Sequence, residues 1–158
     1  MAKQKNTDRI KQILNRKARH EYLFIETYEA GIVLKGTEIK SVRQGKVSFT
    51  DSFASIDKNG EVWLLNLHIS PYEKTAFFNH DAKRPRKLLL NRREIKKINA
   101  KIIEGGMTLI PVSMYINDKS LCKVEIALAK GKKNYDKRED MQKKDQQRDL
   151  DRAKKMTF

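Results

Sequence analysis

Hydrophobic and polar positions alternate along most of the chain, which is the pattern of half-buried β-strands. The first alternating run begins at His20, and Glu29-Ala30-Gly31 predicts a turn in which Gly31 adopts a positive φ. Two further runs flank Asp57-Lys58-Asn59-Gly60, and an Asn-Gly pair between strand-like runs is a strong hairpin signal. Residues 107–130 contain two more runs, joined by a short polar turn. The alternation therefore predicts about six strands, mostly connected as hairpins.

Two segments have helical spacing instead. Residues 36–46 predict a short helix, with Thr37 as its candidate N-cap and Gly45 as its C-terminal stop. A second helix is predicted after Asn91, which can form a capping box with Glu94. The apolar positions of this helix predict a buried stripe of Ile95, Ile98, Ile102 and Ile103. Together the elements predict a mainly β domain with short helices, built as an OB-like antiparallel six-stranded barrel.

The chain continues for a further stretch, residues 131–158, that has almost no apolar side chains. Acidic residues precede basic ones at i,i+4 spacing, which favours helix, and Asp136 is a candidate N-cap. The apolar stripe is too thin to dock on a core, and consists of Met141, Leu150, Ala153 and Met156. We therefore expect a tail that is disordered when free and helical when a partner binds it. The predicted organisation is a basic mobile arm (1–14), a barrel (15–130) and this tail.

The charge balance indicates an anionic partner. The chain has 158 residues with 35 Lys and Arg against 20 Asp and Glu, a formal net charge of +15. Such an excess makes nucleic acid the first candidate partner and an anionic membrane surface the second. No apolar segment approaches the roughly 20 residues of a membrane-spanning helix, and residues 1–20 lack the apolar core of a secretory signal. The single Cys122 is expected to be a packed thiol, which fits a reducing, cytoplasmic environment.

Basic side chains recur in five stretches, and Tyr22, Phe24 and Tyr28 lie among them in sequence. Lys and Arg bind phosphate, whereas exposed aromatic rings stack on bases. For Phe24 a position in the barrel core is the better interpretation. A surface for single strands and an adaptor for folded RNA are both open at this point. The five stretches are Arg16 to His20, Lys35 to Lys46, Lys83 to Lys87, Arg92 to Lys101 and Lys130 to Arg138.

Two residues do not fit the simple pattern of a basic surface. Glu29 is interpreted either as a turn residue or as an acceptor for a base amino group, which a lysine cannot be. Leu89 lies in the run Leu88-Leu89-Leu90, and at neither strand nor helix period can all three leucines face inward. We therefore expect one of them to be exposed, where Leu89 could cap a stacked base.

Motifs of enzyme chemistry are missing from the sequence. The three histidines stand apart, and no zinc-ligand spacing or glycine-rich phosphate loop occurs. We expect no catalytic residue, no metal and no cofactor. Two other functions stay open beside a non-enzymatic RNA adaptor: a structural ribosomal or initiation-factor-like protein, and a ribonuclease whose site is assembled from distant residues.

Several long segments together resemble the SmpB family, the tmRNA-binding proteins of bacterial trans-translation. The resemblance runs from about Asn15 to the C-terminus. The segments that carry it, in chain order, are NRKARHEYLFIETYEAGIVLKGTEIKSVRQGK, DSFASI, NLHISPYE, RPRKLLLNRREI and LAKGKKNYDKRE. The resemblance implies an OB-like barrel that binds the tRNA-like domain of tmRNA and delivers it to stalled ribosomes, where the barrel stands in for the missing anticodon arm.

The resemblance also implies which residues contact RNA. Those expected at the tRNA-like domain are Asn15, Lys17, Arg19, His20, Glu29 and Leu89. Those expected at the ribosomal decoding centre are Gly131, Lys132, Lys133, Tyr135, Asp136, Lys137 and Arg138, with Tyr135 stacking on ribosomal bases. Met156 is expected in the mRNA channel of the small subunit. EF-Tu and alanyl-tRNA synthetase are implied as further partners through tmRNA, and no membrane partner is expected.

Overall fold

A computed structural model describes residues 12–75 and 78–156; most of the predicted N-terminal arm, residues 1–11, lies outside this part of the chain. The strands are β1 (Ile13–Leu14), β2 (Tyr22–Ile32), β3 (Val47–Ser48), β4 (Phe53–Ile56), β5 (Val62–Leu65), β6 (His68–Ile69), β7 (Arg86–Leu89), β8 (Thr108–Ile116) and β9 (Cys122–Gly131). The helices are α1 (Arg16–Glu21), α2 (Gly36–Arg43), α3 (Arg92–Gly105) and α4 (Asn134–Met156).

Six of the strands form a closed ring. Their order is β8-β4-β5-β7-β2-β9, and β9 pairs again with β8, with every pairing antiparallel. The predicted mainly β, OB-like fold with six antiparallel strands is confirmed. The end of the predicted arm belongs to this body, because β1 pairs with β8 through Ile13 and Leu14. The two-residue strands β3 and β6 pair with each other outside the ring.

The long strand β2 replaces the turn predicted at Glu29-Ala30-Gly31. It continues through these residues to Ile32, and Gly31 is not among the residues with positive φ. Gly31 instead lies opposite Leu89 of β7, where an added Cβ would come within 3.3 Å of the Leu89 Cβ. The glycine therefore allows a close cross-strand approach, and the turn prediction was wrong.

The predicted hairpin and both predicted helices are confirmed. β4 and β5 pair around the Asn59-Gly60 turn, and Gly60 has φ +76°. Helix α2 ends before Gly45, which has φ +72°. Its N-cap is Lys35, not Thr37, whose hydroxyl instead lies 2.9 Å from Nδ1 of the buried His80. Helix α3 begins at the predicted Asn91–Glu94 capping box.

Helix α3 packs one apolar stripe over the core of the ring. Ile98 is fully buried, and Ile95 and Ile102 pack against the core cluster. Ile103 is 76% exposed, so its predicted place in the buried stripe was wrong. Three isoleucines at i, i+3 and i+7 are enough for the contact, and the fourth lies beyond the covered face.

Truncating the buried member of this stripe should destabilise the fold, whereas truncating the exposed one should not. We expect Ile98→Val to lower the free energy of unfolding by about 0.5–1.5 kcal/mol, because one methyl is lost from a filled core. Ile103→Val is the matched control, with an expected change below about 0.5 kcal/mol. Urea denaturation measures both; equal losses would contradict this placement of α3.

The cluster from Lys83 to Lys87 is not a uniform RNA-binding surface. Arg86 is fully buried, with its Nε 2.9 Å from a carboxylate oxygen of the equally buried Glu38. Arg84 donates two hydrogen bonds to the same carboxylate, at 2.7 and 2.6 Å. The remaining Arg86 donors point to main-chain carbonyls, including that of Leu67. Two of the predicted RNA-binding cations therefore hold α2 to the sheet.

Residues 134–156 form the single helix α4, which buries none of its side chains. Asp136 was expected as the N-cap, but the helix begins two residues earlier. The Asp136 carboxylate accepts the main-chain N–H of Lys133 at 3.3 Å, so it caps the helix from inside the first turn. The apolar side chains of α4 are exposed, which agrees with the prediction that its apolar stripe is too thin to dock on a core. Disorder of the tail in the free protein stays a prediction.

Candidate RNA interface

The first predicted contact residue, Asn15, mainly organises the start of α1. Its main-chain N–H donates to the Val112 carbonyl at 2.8 Å, and its side-chain amide donates to the Pro111 carbonyl at 2.8 Å. Its side-chain oxygen accepts the Ala18 N–H at 3.3 Å. Asn15 therefore fixes α1 on β8, which sets the positions of the cations that follow it.

Three predicted contact residues lie on α1. Lys17 and Arg19 are exposed, and His20 is half-buried. Lys17 forms a loose pair with Glu21, with 3.7 Å between Nζ and the carboxylate. An exposed i,i+4 pair is worth only about 0.3–0.5 kcal/mol, so it leaves the ammonium available to a phosphate.

Glu29 and Leu89 line one concavity of about 580 Å³ on the ring. Leu89 is 52% exposed while Leu88 is buried, so the predicted exposure of one leucine is confirmed. The Glu29 carboxylate accepts the Tyr115 hydroxyl and lies 4.0 Å from Nζ of Lys123. Glu29 is a strand residue and not a turn residue. Its acceptor role toward a base stays a prediction.

Cations surround this concavity. Lys87, Arg92 and Lys123 all line it, and Arg92 is exposed. The Nζ of Lys87 lies 2.8 Å from a Glu61 carboxylate oxygen, a half-buried pair at the rim of the hollow that a phosphate can compete with. The hollow thus offers an apolar side chain and an anionic acceptor, which suit a base, together with positive charge, which suits the phosphate of the same nucleotide.

Helix α3 is tied to the sheet beside this hollow by ionic contacts at Glu26. Its carboxylate accepts hydrogen bonds from Lys101 and from the Tyr28 hydroxyl, and Lys97 lies 3.5 Å away. The Lys101 and Tyr28 hydrogen bonds lower the pKa of Glu26 to about 2. Burial and the Glu26 hydrogen bond raise the pKa of Tyr28 to about 12. Lys101 is therefore used by the fold, whereas Lys97 stays 59% exposed and faces solvent together with Arg92, Arg93 and Lys96.

The structure separates the predicted contacts with the tRNA-like domain into two groups. Helix α1 adjoins the start of β2 at Tyr22, and Glu29 lies seven residues further along that strand. At about 3.3 Å per residue the two ends are some 20 Å apart. One RNA must therefore extend along β2 if it is to contact both groups.

The predicted decoding-centre residues follow directly from β9. Gly131 ends the strand, and the Lys132 N–H donates to the Glu21 carbonyl of α1 at 2.9 Å. Tyr135 is 59% exposed, with Nζ of Lys133 6.0 Å from its ring centroid. Arg138 is exposed and Lys137 half-buried. Met156, the last residue of α4, is 89% exposed.

The three aromatic residues proposed for base stacking are not freely available. Tyr22 and Phe24 pack against a small cluster of Ala18, Ile110 and Ala129, and Tyr28 packs against the main core. Phe24 was expected in the barrel core; its ring is packed, but it is half-buried against this smaller cluster and not in the main core. Tyr135 is a better stacking candidate than any of these three because its ring is exposed.

The buried residues Glu38 and Arg86 were missed as a structural pair. Arg86 and Leu88 both face inward at strand period, and that alternation was the available signal.

Cys122 is buried as expected, and burial raises the pKa of its thiol to about 12. Over residues 12–75 and 78–156, no group of three or more His, Cys, Asp or Glu is placed to hold a metal ion. No helix within those ranges is long and apolar enough to span a membrane.

A basic OB-like ring with an exposed, cation-lined hollow and a charged helical extension defines a nucleic-acid-binding class of protein. The family model described as SmpB protein matches residues 12–156. The chain therefore belongs to the SmpB family.

Curated relatives and a solved structure agree with this membership. The chain is 58% identical over 139 residues to the SsrA-binding protein of Desulforudis audaxviator, covering 88% of this chain and 90% of the relative. It is 53% identical to the SsrA-binding protein of Saccharopolyspora erythraea, covering 97% and 94%. A chain of the solved structure described as "tmRNA-SmpB: a journey to the center of the bacterial ribosome" is 50% identical, with a TM-score of 0.66 and coverage of 78% and 85%.

Proposed function

We propose that this protein is a non-enzymatic adaptor that binds tmRNA and acts with it on stalled ribosomes in trans-translation. The observation that carries the proposal is the SmpB family match, which extends over the ring and through α4. The relatives named SsrA-binding protein, and the solved tmRNA–SmpB structure on the ribosome, support it. The exposed positive charge along the ring supplies the electrostatic attraction that such an RNA requires.

The ring is proposed to bind the tRNA-like domain of tmRNA. Leu89, in the hollow beside Glu29, offers an apolar surface to a base, and Glu29 offers an acceptor to a base amino group. Lys17, Arg19 and His20 extend the contact at the α1 end, with Asn15 holding α1 in place. In this arrangement the ring stands in for the anticodon arm that tmRNA lacks.

The tail is proposed to bind the ribosome. Gly131, Lys132, Lys133, Asp136, Lys137 and Arg138 would lie at the decoding centre, with Tyr135 stacked on a ribosomal base. Met156 would lie in the mRNA channel of the small subunit. The exposure of Tyr135 and Met156 supports this, because neither side chain is used by the fold.

Two further partners are proposed, and both would be reached through tmRNA and not through a surface of this protein. We propose that EF-Tu and alanyl-tRNA synthetase meet this protein through tmRNA, as the resemblance to the family implies. The proposed place of action is the cytoplasm, where the ribosomes are.

A binding titration tests the proposal directly. The full chain and a chain ending at Lys133 would each be titrated with the tRNA-like domain of tmRNA, with bulk tRNA as competitor. The end at Lys133 preserves all of β9 and the Lys132–Glu21 main-chain bond. Tight, selective binding by both chains would support the proposal that the ring is the part of the protein that binds tmRNA. Lack of preference for the tRNA-like domain by either chain would overturn the proposal.

The hollow at Leu89 gives a sharper prediction. We expect Leu89→Ala to weaken binding of the tRNA-like domain about five- to tenfold, because the apolar cap on the base is lost. Leu150→Ala is the matched control: Leu150 is 57% exposed but lies on the tail, so its removal should leave this affinity unchanged. Equal affinities for Leu89→Ala and the unaltered protein would place the RNA elsewhere.

A further inference from the structure

The start of the tail helix is attached to α1 by one lysine. The Lys132 main-chain N–H donates to the Glu21 carbonyl at 2.9 Å, and its ammonium donates to the Arg19 carbonyl at 3.0 Å. The same ammonium donates to the carboxylate of Asp140, two turns into α4. The Lys132 side chain is only 14% exposed, which is low for a lysine.

The three contacts are physically complementary. The carbonyls in the last turn of a helix lack intrahelical partners and carry partial negative charge, so an ammonium is favoured there. Asp140 supplies a full negative charge on the other side of the same ammonium. The Lys132 hydrogen bond is the main reason that the pKa of Asp140 lies below its usual range.

The attachment also determines which side chains of α4 face outward. Asp136 and Asp140 are four residues apart, so they share the face of α4 that is turned toward the body. Tyr135 and Arg138 lie three residues apart on another face, and both are exposed. The contact at Lys132 therefore turns the two proposed ribosome-binding side chains away from the ring.

We propose that Lys132 and Asp140 are positioning residues that clamp the first two turns of α4 against the C-terminus of α1. The clamp sets the direction in which the tail leaves the ring and the side on which Tyr135 is presented. At the proposed decoding-centre site, Lys132 then acts by positioning the tail through protein contacts and not by binding a ribosomal phosphate itself. The effect on tagging rests on the proposed function, but the clamp itself does not.

The clamp can be measured without any RNA. Spin labels at Lys58→Cys, in the β4–β5 turn, and Gln142→Cys, on the third turn of the tail helix, would report one distance distribution in the full chain with Cys122→Ala. We expect a single narrow distribution that broadens in Asp140→Asn, so that in the unaltered protein the predicted disorder of the free tail begins only beyond the turns that the clamp holds. Asp145→Asn is the matched control, because Asp145 has the same charge on the same helix and its ion pair, at 3.8 Å, is with Arg148 of α4.

A functional readout separates a positioning role from a merely structural one. We expect Asp140→Asn to slow peptide tagging about fivefold, with unchanged affinity for the tRNA-like domain, whereas Asp145→Asn alters neither. Lys132→Arg should retain most tagging, because a guanidinium can contact both the carbonyl and the carboxylate. An unchanged distance distribution in Asp140→Asn would overturn the clamp.

A broadened distribution with normal tagging would overturn its positioning role. Failure of the unaltered protein to bind the tRNA-like domain would contradict the proposed function and leave the distance result standing.

Discussion

A chain that ends at Lys133 should bind the tRNA-like domain of tmRNA within about threefold of the full chain and yet support no detectable peptide tagging. The physical reason is that α4 buries none of its side chains, so removing it takes nothing from the core of the ring. The hollow at Glu29 and Leu89 is lined by strands, by the β4–β5 turn and by the start of α3, so it remains whole without the tail. The lost function is the contact between the tail and the ribosome.

The measurement is a tagging assay on ribosomes stalled at the end of a truncated message, run beside the binding titration. A full-length variant with residues 134–158 in scrambled order is the control, since it keeps the composition and net charge of the tail. We expect the scrambled tail to be as inactive as the shortened chain, because side-chain order on the helix and not charge alone is required. Equal loss of binding and tagging would show that the ring and the tail do not divide the two tasks.

The second large effect concerns the buried ionic group of Glu38, Arg84 and Arg86. Replacing Glu38 by Gln should lower the free energy of unfolding by about 3–5 kcal/mol, because Arg86 would be left buried without a counter-ion. Glu73→Gln is the matched control: Glu73 is exposed and pairs with Lys46 at 3.2 Å, so the expected change is below about 1 kcal/mol. Urea denaturation distinguishes them, and a loss below 1 kcal/mol for Glu38→Gln would show that the ionic group is not needed.

The same substitution should change how stability depends on pH. Burial by itself raises the pKa of Glu38, but the Arg84 hydrogen bonds, the Lys35 N–H and the nearby Arg86 outweigh it and lower the pKa below the usual value. A lowered folded-state pKa gives stability that is present at neutral pH and is lost as the pH falls through the acidic range. We therefore expect Glu38→Gln to flatten the acid side of the stability curve. An unchanged acid slope would contradict this assignment.

The local features of the fold could be predicted from the sequence because they depend on neighbouring residues. The Asn59-Gly60 hairpin and the Asn91–Glu94 capping box follow from turn and cap chemistry within a few positions. The strand through Gly31 could not be predicted in this way. Its glycine is required by Leu89, which lies 58 positions away in the chain and opposite in the sheet.

In the candidate site, too, features set by neighbouring residues could be predicted, whereas contacts between distant residues could not. The exposure of Leu89 follows from the alternation of three consecutive leucines, and charge density indicates an RNA partner. Charge density cannot distinguish a lysine or arginine that is free at the surface from one that is held by contacts within the fold, however. Arg86, Lys101 and Lys132 are each held by a partner that is distant in sequence, and only the structure brings the partners together.

The exposed helix α4 has a consequence for how this protein can change over generations. Because no residue of the helix is buried, most substitutions beyond the Lys132–Asp140 clamp cost the ring no stability. Natural selection on the sequence of that stretch then acts mainly through the contacts that it makes with its binding partner. The distal tail can thus change its sequence, or be exchanged between relatives, without loss of fold stability. Substitutions in the strands of the ring, in contrast, must preserve the packing of the core.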